Sequence, residues 1–189
     1  LAYLLKYDSA YGRYGKSVKA TDHRLAVDGK EVTVYAEKDP ARLPWRDLGV
    51  DIVVESTGFF TSDVASKAHL DAGAKRVVIT APVKDEYERG ATVLMGVNDS
   101  VLEKCDITSN ASCTTNAASP VVQILHEALG IEKPFLSTVH GYTASQAIVD
   151  SPDSKDFRRG RAAAVNIVPS STGAAIATTK GVGDRAGGL

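Results

Sequence analysis

The chain has 189 residues, with 22 Lys and Arg against 23 Asp and Glu and a formal net charge of −1. That balance supplies no basic field for nucleic acid or for an anionic membrane surface, so neither is expected as a partner. Hydrophobic residues at 43% and charged residues at 24% are ordinary for a globular chain, and no run of about 18 apolar residues marks a transmembrane helix.

In chain order, residues 1–6 read as the end of an apolar helix and residues 8–15 as turn-rich. Residues 16–27 and 30–36 are strand-like on either side of Asp28-Gly29, a dipeptide that favours a two-residue hairpin turn. Asp39-Pro40 and Leu43-Pro44 interrupt the chain before residues 51–55, a compact apolar strand ending at Ser56-Thr57-Gly58. Residues 62–72 carry a helical pattern stopped by Gly73. Residues 75–80 are a second apolar strand, closed by Ala81-Pro82, and residues 91–95 and 106–109 are further strand candidates. Continuous apolar runs are the pattern of strands buried on both faces. Strand, helix, strand in this order predicts a parallel α/β sheet.

Further on, Val121, Val122, Leu125, Ala128 and Leu129 share one helical face, and Gly130 closes that helix. Pro120 fits either the first turn of this helix or a kink in one begun near Cys113. Residues 135–139 read as a strand running into His140. Residues 142–161 are polar and carry Pro152, so they read as a loop of a length that is uncommon without a function.

The chemistry concentrates in Ser109-Asn110-Ala111-Ser112-Cys113-Thr114-Thr115-Asn116. One cysteine stands there among small hydroxyl and amide side chains, after a strand and at the head of a helix. Free N–H groups at a helix N-terminus favour the thiolate, the reactive form of sulfur. His140, in Ser137-Thr138-Val139-His140-Gly141-Tyr142-Thr143, supplies a base if the fold brings the two together. By residue type alone, a lone cysteine is more often a buried small hydrophobe and a lone histidine a structural residue. Cys105 is the internal control: Glu103-Lys104-Cys105-Asp106 sets carboxylates beside its sulfur, which predicts a raised pKa and an inert thiol. The spacing of the two cysteines matches neither a zinc knuckle nor a redox pair. Free thiols without a disulfide framework point to a reducing, cytoplasmic setting. Gly12-Arg13-Tyr14-Gly15-Lys16-Ser17 ends like a phosphate-binding P-loop, but Ala10 occupies its first glycine position and no strand precedes it.

Four motifs in order carry a resemblance: residues 109–116, residues 138–143, Arg158-Arg159-Gly160-Arg161-Ala162-Ala163-Ala164, and Pro169-Ser170-Ser171-Thr172-Gly173-Ala174-Ala175. Together they resemble phosphorylating glyceraldehyde-3-phosphate dehydrogenase. The resemblance implies a partial Rossmann-like parallel sheet over residues 1–112, binding NAD, followed over residues 113–189 by the start of an α+β catalytic domain with an S-shaped loop. It implies Cys113 as nucleophile and His140 as base, with the Cys113 backbone N–H on the oxyanion. It implies Ser112, Thr114, Thr143, Arg159, Thr172 and Gly173 as contacts for a sugar phosphate and inorganic phosphate. On the cofactor side it leaves Lys38, Ser56, Thr57, Gly58 and Thr80. The family's G-x-G-x-x-G turn and the acidic ribose ligand are absent from the chain. NAD is the expected cofactor on the thin ground of Ser151-Pro152, with NADP left open. A homotetramer is implied as the assembly.

The chain departs from the family in two places. Ile176 stands where lysine is common, and residues 181–189 do not follow the family's continuation. With no initiator Met, the expectation is an internal fragment with an unrelated or frameshifted tail, missing a second substrate arginine. The alternatives are the erythrose-4-phosphate dehydrogenase branch, a catalytically silent subunit, or a cofactor-free Cys/His acyl-transfer enzyme.

Overall fold

The computed structural model describes residues 1–83, 87–88, 90–154 and 156–186, without the side chains of residues 180 and 183–186. Its N-terminal part holds a short helix α1 (Ala2–Lys6), a two-residue ribbon of β1 (Tyr7–Asp8) and β2 (Gly12–Arg13), and an antiparallel meander of β3 (Val18–Thr21), β4 (Arg24–Val27) and β5 (Lys30–Thr33). The expected hairpin at Asp28-Gly29 forms, with φ of 53° and 82° at the two turn residues, the left-handed pair that a twisted hairpin requires. The single strand expected over residues 16–27 is instead two. Thr21 pairs with Arg24 across a turn at Asp22-His23, where His23 takes a φ of 59°.

The central sheet has four parallel strands among the described residues, in the order β6 (Ile52–Glu55), β7 (Arg76–Ile79), β9 (Ile107–Ser109), β8 (Gly90–Thr92). Helix α2 (Asp63–Asp71) makes the crossover from β6 to β7. Ser62 caps it by accepting the Ala65 N–H at 3.1 Å. Gly73 ends it for two reasons: its φ is +113°, and a Cβ there would lie 2.5 Å from the Arg46 Cβ. Val77, Ile79 and Ile107 form the sheet's core, with Leu70, Ala81 and Val83 packed against it.

Burial on both faces holds for β9 but not for β6. In β6, Val53 and Glu55 are buried while Ile52 and Val54 are exposed. As an edge strand it is covered on one face only, so an unbroken apolar run conceals a two-sided environment. The strand expected over residues 91–95 ends at Thr92, and the chain then turns through Gly96 into a 3₁₀ segment.

Helix α3 (Cys113–Leu129) settles the place of Pro120, which lies inside one continuous helix. Proline has no N–H to offer the Asn116 carbonyl one turn back. Helix α4 (Ala174–Ala186) packs on α3, with Ser119 Oγ donating to Thr178 Oγ1 at 3.1 Å. A second core of Leu94, Val97, Ala111 and Val182 lies beside them, flanked by Val122. The segment expected as an unrelated tail is part of this packing: the helix runs on to Ala186 and buries Val182 completely. Residues 187–189 lie outside the described residues. Residues 135–139, expected as a strand, make no ladder. Phe135 and Val139 are more than nine-tenths exposed, because an apolar run becomes a strand only when a partner edge is beside it.

Candidate active site

Parallel pairing decides where the loops go. Strands β6, β7 and β9 run the same way, so the segments that leave their carboxyl ends open on one sheet edge. These are residues 56–58, Thr80, and the turn through residues 110–112 that delivers Cys113. Open α/β sheets bind nucleotides across this edge.

Cys113 is the first residue of α3, and Ser112 is its N-cap, accepting the Thr115 N–H at 3.1 Å. The thiol is exposed. Its Sγ lies 3.1 Å from His140 Nε2. On the other side of the ring, His140 Nδ1 donates to the Gly141 carbonyl at 2.6 Å, which leaves Nε2 with the lone pair facing sulfur. The hydrogen bond to His140 pulls the Cys113 thiol below its ordinary pKa. Slight burial opposes this, and the Thr114 N–H adds to it. The helix start and the imidazole were both expected to favour the thiolate, and the imidazole is the larger cause. The Gly141 carbonyl, followed by Cys113, raises the His140 pKa. Cys105 is buried and shifted up, first by burial and then by Asp106 and Asp63. Its expected inertness therefore has burial as the first cause, where neighbouring carboxylates were expected.

The Cys113/His140 pair opens into a cleft of about 490 Å³ whose walls include Ser112, Thr114, Thr143, Gln146, Asn166 and Thr172. Thr143 Oγ1 is 2.9 Å from Ser145 Oγ, and its N–H donates to Gln146 Oε1. Thr172 Oγ1 accepts the Ala174 N–H at 3.2 Å and so starts α4. Gly173 follows it, with open space where a Cβ would stand. Arg159 reaches the same hydroxyl-rich turn, donating from Nη2 to Ser170 Oγ at 3.2 Å, without lining the cleft itself. The described residues of 142–161 form the expected loop, closed on itself by Ser151 N–H to Gly160 O and Ala147 N–H to Arg159 O, both about 3 Å. Gly160 is required there, since a Cβ would overlap the Ser151 carbonyl.

On the cofactor side the structure brings together Ser56, Thr57, Gly58 and Thr80, but not Lys38. Lys38 stays on the exposed stretch after β5, with its N–H on Glu37 Oε1, and does not line the cleft. The residue that joins the others is Glu55, which sequence reading passed over as the end of a strand. Its main-chain carbonyl accepts from Thr80 N–H at 3.0 Å and Thr80 Oγ1 at 3.2 Å. Its carboxylate accepts from Thr57 N–H and Oγ1 on one oxygen and from His69 Nε2, at 3.0 Å, on the other. Trp45 Nε1 donates to His69 Nδ1 at 3.0 Å, which assigns the ring proton to Nε2, facing Glu55. Burial pushes the Glu55 carboxyl up, and the bonds from Thr57 and His69 together outweigh it, so its pKa sits below the ordinary value. The signal available in the sequence was a carboxylate closing an apolar strand, a position burial disfavours without partners.

This arrangement fits a dinucleotide on one observation: the turn residues 56–58, Thr80 and the Cys113 turn share a single sheet edge. No group of three or more His, Cys, Asp and Glu side chains among the described residues is placed to hold a metal. No helix among them is long and apolar enough to cross a membrane.

Comparison with known proteins agrees with this layout. Residues 1–63 match the family described as "Glyceraldehyde 3-phosphate dehydrogenase, NAD binding domain", and residues 112–187 match "Glyceraldehyde 3-phosphate dehydrogenase, C-terminal domain". The second match takes in most of the segment after Lys180 that was expected to be unrelated. The chain is 53% identical over 178 residues to glyceraldehyde-3-phosphate dehydrogenase of Thermotoga maritima, covering 94% of this chain and 52% of that protein. It is 48% identical over 179 residues to glyceraldehyde-3-phosphate dehydrogenase B of Aspergillus oryzae, covering 95% and 52%. It is likewise 48% identical over 181 residues to the cytosolic enzyme of that name from Gracilaria gracilis, covering 95% and 53%. The chain thus spans about half the length of the curated relatives it matches. With both of that family's domains matched in order along one chain, and about half of its residues shared with members from such distant organisms, the chain belongs to the glyceraldehyde-3-phosphate dehydrogenase family.

Proposed function

We propose that the protein carrying this chain oxidises D-glyceraldehyde 3-phosphate, with NAD and inorganic phosphate, to 1,3-bisphosphoglycerate through a thioester on Cys113. The observation that carries this reading is the 3.1 Å contact of Cys113 Sγ with His140 Nε2 at the mouth of a hydroxyl-lined cleft. In the first step His140 Nε2 takes the thiol proton, and the thiolate adds to the aldehyde carbon, forming a C–S bond. The new alkoxide receives a proton from His140 and lies within reach of the Cys113 backbone N–H at the start of α3. His140 then removes that hydroxyl proton as the carbon gives up its hydride, which restores a C=O and leaves the thioester. NAD, when bound, supplies the acceptor for that hydride. Ser56, Thr57, Gly58 and Thr80 would hold it on the shared sheet edge, with Lys38 as an adenine-side contact by resemblance alone. Phosphate then attacks the thioester carbon and the Cys113 thiolate leaves.

Ser112, Thr114, Thr143, Thr172 and Gly173 supply hydroxyls and N–H groups for the two phosphates. Arg159 supplies the charge on the inorganic-phosphate side. The domain division at 112/113, the tetrameric assembly and a cytoplasmic setting belong to the same proposal. The setting is supported by relatives named cytosolic.

The test is mass spectrometry of the protein given D-glyceraldehyde 3-phosphate and NAD without phosphate. An acyl adduct is expected on the peptide holding Cys113, released on adding phosphate, and absent from Cys113→Ser. An adduct on Cys105 instead, or acylation independent of NAD, overturns the proposal. Erythrose 4-phosphate in a parallel reaction separates the two aldehyde specificities.

A further inference from the structure

Between β9 and α3 the backbone does something unusual. Ala111 has a φ of 55°, a left-handed conformation that L-residues other than Gly, Asn and Asp seldom take. Glycine would relieve it, but the Ala111 methyl is buried in the core with Leu94, Val97 and Val182. A side chain is thus wanted where the backbone disfavours one. Such outliers persist only where their surroundings hold them, and they collect at functional sites.

Two groups hold this one. Ser109 Oγ donates to the Ala81 carbonyl at 2.7 Å and accepts the Ala111 N–H at 2.9 Å. From the helix side, Asn116 Nδ2 donates to the Asn110 carbonyl at 2.6 Å and to the Ser112 carbonyl at 2.9 Å. Those carbonyls belong to the residues on either side of Ala111, and both N–H bonds of one amide are used on them. Asp in this place would have no donor, Ser would have one, and Gln would be a methylene too long. Cys113 follows directly, and its Sγ meets His140 Nε2.

We propose that Asn116 is a positioning residue: its side-chain amide clamps the left-handed turn at Ala111 and so fixes the Cys113 sulfur against His140. The proposal rests on the reading of Cys113 and His140 as nucleophile and base. Asn116 acts through the turn and touches no reacting atom.

The test is the rate of Cys113 alkylation by iodoacetamide in the full chain, followed by mass spectrometry, with buried Cys105 as a reporter of the fold. In Asn116→Ala the Cys113 rate at neutral pH is expected to fall roughly tenfold, less than the roughly 10²-fold that a misplacement of about 1 Å can cost. The midpoint of its pH–rate curve is expected to rise, and Cys105 to stay protected. In a His140→Asn background the same substitution should have no further effect, because there is no imidazole left to be aligned with. Ala111→Gly, which keeps both carbonyls and relaxes the backbone, should lower the rate less than Asn116→Ala.

An unchanged Cys113 rate in Asn116→Ala overturns the proposal. So does a loss that persists undiminished in the His140→Asn background, or one accompanied by reaction at Cys105, since either would mark general loosening. A wild-type Cys113 that reacts no faster than an ordinary thiol would refute the Cys/His reading itself. A fast wild-type Cys113 with an unaffected Asn116→Ala refutes only the positioning role.

Discussion

The parallel sheet and the segment from 130 to 173 divide the work of this molecule unequally. In the sheet, Val77, Ile79 and Ile107 are 0–1% exposed. In the later segment Phe135, Val139 and Ile167 are 92–94% exposed, and the only helix is one turn of 3₁₀ among the described residues. Yet His140, Thr143 and Thr172 sit in the exposed segment, while the sheet delivers Cys113 with its neighbours Ser112 and Thr114 and the cofactor-side turns. Burial carries the stability and the exposed loops carry the chemistry, so substitutions in the two regions should have separable consequences.

The largest effect tests that separation at the nucleophile. Cys113→Ser should lower acylation by roughly 10³-fold or more while moving the unfolding midpoint little, because the side chain is exposed. A large loss of stability would show that the site is part of the core after all. Next, His140→Asn should cost about 10²-fold in aldehyde oxidation. It should also shift the pH dependence of Cys113 alkylation. In the native pair the thiol titrates below its ordinary value, so reactivity develops as pH rises through that lowered value; without the imidazole the midpoint should climb toward about 8.5. A midpoint that stays put would assign the thiolate to the helix start instead.

On the sheet side the expected pattern is the reverse. Ile79→Ala, at a fully buried position, should destabilise by about 3 kcal/mol, read from denaturant titration, with Cys113 alkylation in the folded protein unchanged. Glu55→Gln sharpens the comparison, since Glu55 is buried in the sheet but tied to the cofactor-side turns. Its carboxyl has a lowered folded pKa, so its stabilising contribution is full above the unfolded value near about 4.3 and is lost as pH falls through the folded one. The stability gap between wild type and Glu55→Gln should therefore be widest at neutral pH and close on acidification. A gap that widens toward acid would contradict the network. The smallest effect belongs to Ile167→Ser, which should stay within about 0.5 kcal/mol of wild type despite removing a large apolar side chain.

The sequence was most legible where one residue decides its own surroundings. Asp28-Gly29 made a hairpin, and Ser62 and Gly73 bounded a helix. It was least legible where a partner far away in the chain had to be known. Residues 135–139 have the pattern of a strand and no edge beside them. Residues 16–27 hid a turn at His23, and the apolar run of β6 concealed a buried Glu55 whose carboxylate is bonded by Thr57 and by His69, itself held by Trp45. Asn116 was visible as part of the cysteine motif. Its use could not be read there, because a helix residue that reaches back to two loop carbonyls is recognised only from the path of the loop.

Sequence by itself determined the α/β class, the thiol and imidazole to watch, and the hydroxyl-rich turns around them. These follow from periodicity and residue chemistry, which are local. Tertiary structure alone decided that Cys113 and His140 lie 3.1 Å apart, that Glu55 ties two loops together, and that Ala111 is held in a strained turn. Each of these joins groups distant in the chain, or depends on a backbone angle that neighbours impose. No local pattern fixes a distance between segments until packing has closed the space between them.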